Sequence, residues 1–351
     1  MNKITLKQQK IIQIFLKHGK MQSSEVYKEI LRTGEDISLV TIKRALSEMV
    51  EEKILEIAGS GRSTNYMLSS KGRVFADTDA KKYVTIEPDK RYGLHQYNFD
   101  LLKDFPTDIF TDDELKRLEI STAEYKKATM DLSPTIEKKE LERLVIELSW
   151  KSSKIEGNTY TLLDTERLIL ENKEAPGHAK SEAQMILNHK DAFDYIRQHS
   201  SQFKTVTRKN LEELHSIVIK GLNVNLGFRK KPVGITGSIY RPLDNIFQIT
   251  EAVDTLGEAI LKSKTPYAKA LLALIGISYI QPFEDGNKRT ARLMANALLI
   301  SHSLAPLSYR SVEEEDYRSA TLVFYELNSI IPMRKIFIEQ YEFAAKNYAV
   351  K

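Results

Sequence analysis

Apolar residues recur at helical spacing along most of this chain. Ile4, Ile11, Ile12, Ile14, Phe15 and Leu16 predict a first helix ending near Gly19, and Val26, Ile30 and Leu31 predict a second, opened by Ser23 or Ser24. Ser38 is a good N-cap for a third helix, Leu39 to about Lys53. Its Leu46, Met49 and Val50 would pack inward while Thr41, Lys43, Arg44 and Ser47 stay outside. Two short strand-like runs at 54–57 and 65–68, around Gly59-Ser60-Gly61-Arg62-Ser63-Thr64, predict a β-hairpin with a basic tip. Residues 73–110 lose the period but keep Tyr92, Tyr97 and Phe99, too many aromatics for a solvated coil, so they read as a linker packed on the second domain. From 111 to 351 the pattern is helical again: Asp112–Leu118, Pro134–Glu156, Leu162–Glu171, Ser181–Gln198, Arg208–Ile219, Thr250–Ser263, Pro266–Ile280, Lys288–Ser301, Val312–Leu327 and Ile331–Tyr348. The fold class is therefore mostly α. Leu271, Leu272, Leu274, Ile275, Ile277 and Ile280 leave little polar face on their helix, which predicts a central, buried element delivering Gln281 at its end.

Composition changes this picture little: 42% hydrophobic and 28% charged residues over 351 positions suit two globular domains. The absence of cysteine excludes disulfides, thiol nucleophiles and cysteine metal sites, and suits a reducing, cytoplasmic setting. The longest apolar run, about Leu271 to Ile280, is too short to span a bilayer, so no membrane partner is expected. Charge is more telling. Residues 1–75 hold 13 Lys+Arg against 8 Asp+Glu, leaving 39 against 40 for the rest, so the whole positive surplus sits at the N-terminus. Three helices and a hairpin in residues 1–72 resemble a winged helix-turn-helix domain. That resemblance implies DNA binding, with the third helix in the major groove and the wing on the backbone or minor groove; Thr41, Lys43, Arg44 and Arg62 are the contact candidates.

The densest chemistry lies at Gln281-Pro282-Phe283-Glu284-Asp285-Gly286-Asn287-Lys288-Arg289-Thr290-Ala291-Arg292. Asp285 offers a hard carboxylate to a divalent cation, Gly286 and Asn287 let backbone N–H groups converge on an anion, and the following helix adds the positive end of its dipole. Arg289 and Arg292, three apart, project from one helix face. Carboxylate, backbone nest and two arginines make a nucleotide–Mg²⁺ site. The stretch resembles the Fic family signature, His-x-Phe-x-Asp/Glu-Gly-Asn-x-Arg-x-x-Arg, matching at Phe283, Asp285, Gly286, Asn287, Arg289 and Arg292 and departing at Gln281, where the family has histidine.

A second stretch, Ser152-Ser153-Lys154-Ile155-Glu156-Gly157-Asn158, ends a long predicted helix, with Ser152 and Glu156 on one face and Gly157 at the C′ position. It resembles the inhibitory motif of self-restrained Fic proteins, which implies that Glu156 pairs with Arg292. Such a carboxylate would remove a cation from the γ-phosphate and push ATP into an unproductive pose. Between the two, Gly227 to Pro242 alternates and turns like a hairpin and looks like the Fic flap, which pairs with an extended target segment; the similarity puts Thr236, Gly237 and Ser238 against nucleotide or target.

The resemblance implies a self-inhibited adenylyltransferase that moves AMP from ATP to a hydroxyl of a protein. Asp285 would hold Mg²⁺, Gly286, Asn287 and Lys288 would cradle phosphates, Arg289 and Arg292 would take the β- and γ-phosphates, and Phe283 would anchor the loop. Position 281 would take the proton of the attacking hydroxyl, and an amide cannot, so this chain is expected to be inactive or strongly impaired while still binding ATP. His215 and His302 lie in helical patterns and read as structural. Two alternatives stay open: a catalytically silent, ATP-responsive transcription regulator, and a Doc-like phosphotransferase, suggested by lysine at 288. Candidate partners are ATP, a target protein or the chain itself, DNA through residues 1–72, and a second copy of the chain.

Overall fold

Thr5 starts the first helix by a reciprocal cap: its hydroxyl accepts from the Gln8 N–H while the Gln8 side chain accepts from the Thr5 N–H. The computed structural model describes residues 4–34 and 37–350, with the Arg62 side chain outside the description. Helices α1 (Leu6–His18), α2 (Ser23–Arg32) and α3 (Leu39–Glu51) are followed by the antiparallel strands β1 (Leu55–Ala58) and β2 (Asn65–Leu68). Met21 exchanges two backbone hydrogen bonds with Tyr66, at 3.0 and 2.7 Å, tying the start of α2 to the hairpin. Ile11, Phe15, Val26, Ile42, Leu46 and Leu55 belong to one core. Thr41, Lys43 and Arg44 stand exposed on α3, and Arg44 meets Glu48 at 3.0 Å. Arg62, the candidate in the wing, has its side chain outside the described residues.

The aperiodic stretch after the hairpin holds three short helices, α4 (Ser70–Val74), α5 (Ala80–Val84) and α6 (Phe99–Lys103), each opened by a side-chain cap from Ser69, Asp79 or Asn98. These helices are too short to display a period. Their apolar residues divide between two cores: Tyr83 joins that of the winged helix, whereas Leu101, Leu102, Ile109 and Phe110 join that of the larger helical body.

That body contains α7 (Asp112–Thr129), α8 (Pro134–Ile155), α9 (Leu162–Glu171), α10 (Lys180–Gln198), α11 (Arg208–Val218), α12 (Ile246–Lys262), α13 (Pro266–Ile280), α14 (Asn287–Ser301), α15 (Glu314–Leu327) and α16 (Ile331–Asn347). Helix α13 is apolar all round and buried from Tyr267 onward but for Lys269, and α14 folds back along it. Two helices exceed their expected bounds. Helix α7 runs to Thr129 because its inner face is completed by Ser121, Thr122, Tyr125 and Thr129, polar residues that the apolar count passes over, and α12 begins at Ile246 under an Asn245 cap. The expected flap hairpin is corrected as well. Among the described residues the one ladder is β1–β2, and 227–242 is a loop turning at Ile235–Ser238, where Ser238 N–H donates to Ile235 C=O at 3.2 Å. Its backbone groups bond instead to neighbours, as Arg229 N–H does to Pro282 C=O at 2.9 Å and Arg241 N–H to His95 C=O at 2.9 Å. Among the described residues no helix is long and apolar enough to cross a membrane.

Candidate functional site

Helix α13 stops at Gln281, whose φ of 51° and ψ of 58° place it in the left-handed region, and Pro282 prevents continuation. The Gln281 N–H still reaches Ile277 C=O at 3.0 Å. Its side-chain amide, 8% exposed, turns back and donates to Ser278 C=O at 2.7 Å and to the Tyr325 hydroxyl at 3.4 Å. Its carbonyl accepts from buried Arg229 Nε at 2.6 Å, and the same guanidinium donates to Lys231 C=O at 2.9 Å and to Leu243 C=O. The position is thus clamped from both sides, which a non-glycine residue at positive φ requires.

The loop that follows is built from inside. Buried Phe283 stacks on His215 with centroids 3.5 Å apart, and His215 Nε2 lies 2.9 Å from Asp285 C=O. Burial pushes His215 down to about 4, so its neutral ring donates to that carbonyl from Nε2. The Asn287 side chain closes the loop, accepting from Phe283 N–H and donating to Phe283 C=O, both at 2.8 Å. Asn287 thus shapes the loop, within which the Gly286 N–H donates to Asp285 Oδ1 at 2.6 Å. Gly286 takes φ 78°, and a Cβ there would sit 3.2 Å from Ile219 Cγ2. The loop opens on a cavity of about 290 Å³ that Gln281, Asp285, Gly286, Asn287, Lys288 and Arg289 line together with Glu156.

Opposite the loop stands the end of α8. Arg292 Nη2 donates to Glu156 Oε1 at 2.9 Å and to Ser152 C=O at 2.9 Å, while Arg292 Nε donates to Ser152 Oγ at 2.8 Å. Lys288 Nζ lies 3.4 Å from Glu156 Oε2. Burial opposes the Glu156 charge, but the Arg292 and Lys288 cations outweigh it and hold the carboxyl below its ordinary value. Ser152 is set in turn by buried His189: Nδ1 meets Met185 C=O at 3.2 Å and Nε2 meets Ser152 Oγ at 2.7 Å. Burial drives His189 down to about 3, so Nδ1 carries the proton and the Ser152 hydroxyl donates to Nε2, leaving its lone pairs for Arg292. Gly157, at φ 98°, turns the chain out of the helix, and Arg318 fixes that end by donating to Ile155 C=O at 3.0 and 2.6 Å.

Arg289 Nη1 and Arg292 Nη1 are buried without a partner among the described residues, and of the two arginines Arg289 lines the cavity. Arg289 also reaches Asp285 Oδ2 at 3.1 Å. The Asp285 side chain is 67% exposed at the cavity. No group of three or more His, Cys, Asp or Glu side chains is placed to hold a metal among the described residues, and the carboxylates that line the cavity are Glu156, Glu284 and Asp285.

Of the three flap candidates only Thr236 lines the cavity, beside Gly234 and Ile235. Gly237 gives its carbonyl to Arg91 at 2.8 Å, and Ser238 gives its hydroxyl to Glu326 at 2.7 Å. A second cavity of about 230 Å³ shares Glu156, Thr236 and Lys288 with the first and adds Tyr317, Arg318, Thr321, Leu322 and Tyr325 from α15. The sequence reading missed these residues along with His189 and Arg229. A spacing of three and four from Arg318 through Thr321 and Leu322 to Tyr325 was the available signal, but it reads equally as a core face. Thr41, Lys43 and Arg44 lie on α3, apart from these cavities.

Fold and site together define a helical protein with an N-terminal winged helix and a glycine-turned loop at the start of α14 that faces the Glu156–Arg292 ion pair. Residues 205–299 match the Fic/DOC family model and residues 2–75 the Ferric uptake regulator family model. The chain thus carries a Fic/DOC-family domain and an N-terminal winged-helix domain of the Ferric uptake regulator type. It is 34% identical over 167 residues to the protein adenylyltransferase Fic of Drosophila willistoni, covering 46% of this chain and 33% of that one. To the homologue of Nematostella vectensis it is 32% identical over 173 residues, covering 48% and 40%. The match therefore spans well under half of these relatives. Among solved structures, Fic-1 (residues 134–508) from C. elegans superposes with a TM-score of 0.55 at 17% identity over 67% of this chain and 72% of that one. A Fic domain containing signaling protein from Bacteroides thetaiotaomicron gives 0.53 at 19% over 67% and 98%. These two share the fold.

Proposed function

We propose that the cavity binds Mg–ATP and that the domain is a self-restrained adenylyltransferase whose turnover is held down twice, by Glu156 on Arg292 and by an amide at position 281. The carrying observation is the Glu156–Arg292 contact beside two partnerless guanidinium nitrogens: a carboxylate of the chain stands where an anionic ligand would be held. In this reading the N–H groups at the start of α14 and Arg289 take phosphate oxygens, and Arg292 joins them once Glu156 withdraws. Asp285 would hold Mg²⁺, which neutralises phosphate charge. The compartment with Tyr317 and Tyr325 suits a flat base. Transfer forms a bond from a protein hydroxyl oxygen to the α-phosphorus and breaks the bond to the pyrophosphate oxygen; the hydroxyl proton needs an acceptor. Gln281 has none to offer, which lowers the rate by roughly 10²–10⁴. The exposed Thr41, Lys43 and Arg44 face of α3 would read DNA in the major groove.

The test is labelling of the full chain carrying Gln281→His and Glu156→Gly. Label from α-³²P-ATP on the chain or on a partner supports adenylyl transfer, whereas label from the γ position alone assigns phosphotransfer. A folded double variant that takes neither label, yet binds Mg–ATP by calorimetry, supports the second reading, a silent ATP-responsive regulator. That reading is favoured by the Gln281 amide being turned back onto Ser278.

A further inference from the structure

Helix α15 serves two sites with different faces. Val323 and Leu327, four apart, are buried in the core of the winged helix, while Arg318, Thr321, Leu322 and Tyr325 line the second cavity. Between these faces stands Glu326, 0% exposed, a full carboxylate that neither the anion loop nor the gate uses. Its Oε1 accepts from Ser238 Oγ at 2.7 Å, from Ile239 N–H at 3.3 Å and from Arg91 Nη1 at 3.3 Å. Its Oε2 lies 2.7 Å from the Tyr83 hydroxyl, whose single proton is shared with Tyr92 C=O at 2.6 Å, and its backbone carbonyl accepts from Leu94 N–H at 2.6 Å. Arg91 bridges the same parts a second time by donating to Gly237 C=O at 2.8 Å.

A buried carboxyl group is kept only when it is well bonded, and here its partners come from two places that Arg91 also joins, donating to Gly237 C=O on one side and to Val84 C=O at 3.0 Å on the other. Ser238 and Ile239 belong to the flap turn over the nucleotide cavity. Tyr83, 2% exposed, belongs to the core that α5 shares with the winged helix. The flap has no strand ladder of its own, so its turn is held by these side-chain bonds.

We infer that Glu326 is a positioning residue that fastens the flap turn Gly237–Ile239 and makes its order depend on the docking of the N-terminal domain through Tyr83. The winged helix and the flap are then coupled through Glu326 together with its neighbour Arg91, and a ligand that shifts the first changes the mobility of the second. The significance for regulation rests on reading the cavity as a nucleotide site, but the coupling itself is measured without nucleotide.

Hydrogen exchange on the full, ligand-free chain tests it, comparing the original with Tyr83→Phe and Glu326→Gln. The expected result is exchange in residues 233–241 about tenfold faster in both variants, the size of one broken charge-assisted bond, with residues 266–280 of α13 unchanged. Unchanged flap exchange in Tyr83→Phe overturns the inference, and so does equal acceleration of α13, which would make the network a general stabiliser. Should Glu326→Gln fail to fold, Tyr83→Phe decides alone. Failure of Mg–ATP to bind would strike the proposed function and leave this result standing.

Discussion

Arg292 Nη2 lies 2.9 Å from Glu156 Oε1, across 136 residues of sequence. The arginine is 0% exposed and its other bonds go to Ser152, so the carboxylate balances a charge that has no access to water. Removing one partner of such a pair leaves the other uncompensated, a cost of about 3 kcal/mol. Glu156→Gly should therefore lower the melting temperature of the ligand-free chain. Added Mg–ATP should raise it by more than it raises the original's, because phosphate then meets an unblocked cation. Equal shifts in scanning calorimetry would contradict the gate.

Acid should loosen the chain earlier than carboxylate titration alone. His215 and His189 are held by burial at about 4 and about 3, against an ordinary 6.5. Their folded values are depressed, so the unfolded state binds more protons below pH 6.5, and stability is lost as pH falls from there toward 4. The full effect is roughly 3 kcal/mol for His215, complete near pH 4, and roughly 5 kcal/mol for His189, complete only near pH 3. Glu156, also lowered, adds a loss beginning below its ordinary 4.5. Urea midpoints at pH 7 and 5 should differ, and His189→Gln should shrink the difference; a flat profile in the original would refute the burial argument.

Gln281→His alone should restore little. On the proposed reading Glu156 leaves the γ-phosphate in an unproductive pose, so the single variant should show a small part of the roughly 10²–10⁴ gain expected of the double variant with Glu156→Gly. The two changes lie on one site and should be non-additive. Rates from α-³²P-ATP labelling of all four forms decide it, and strict additivity would separate base from gate.

Gly286→Ala probes the loop by itself. At φ 78°, with Ile219 Cγ2 3.2 Å from the new methyl, the substitution should cost about 1–2 kcal/mol and weaken Mg–ATP affinity beyond that stability loss. Calorimetry at a temperature where the variant is folded gives the affinity, and an unchanged value would move the phosphates off this loop.

Lys43→Ala with Arg44→Ala should reduce binding to duplex DNA and lower the slope of log K against log salt by about 1 for each phosphate no longer neutralised. Filter binding at several salt concentrations reads it. An unaltered slope would take α3 off the DNA backbone.

Much of the framework was legible because it is local. Helix α13 declares itself by apolar residues on every face, α3 by Ser38 and its inner stripe, and the loop at Asp285 by a glycine that must reach positive φ. The Glu156–Arg292 pairing was expected from the resemblance of two stretches to Fic family motifs, since by itself Glu156 reads as an exposed carboxylate at a helix end. The flap was misread as a hairpin because alternation signals an extended chain without saying whether a strand lies beside it, and 227–242 spends its backbone bonds on the loop after α13, on α15 and on the linker region instead.

Most of the long helices and the glycine turn before α14 are written in the amino-acid order, since each depends on residues within a turn or two of one another. Packing in three dimensions settled which way the Gln281 amide points, why His189 is neutral and where Glu326 finds its partners. Those outcomes depend on burial and on bonds between segments as far apart as Tyr83 and Glu326, where the loss of water makes each partner obligatory and no local pattern records it.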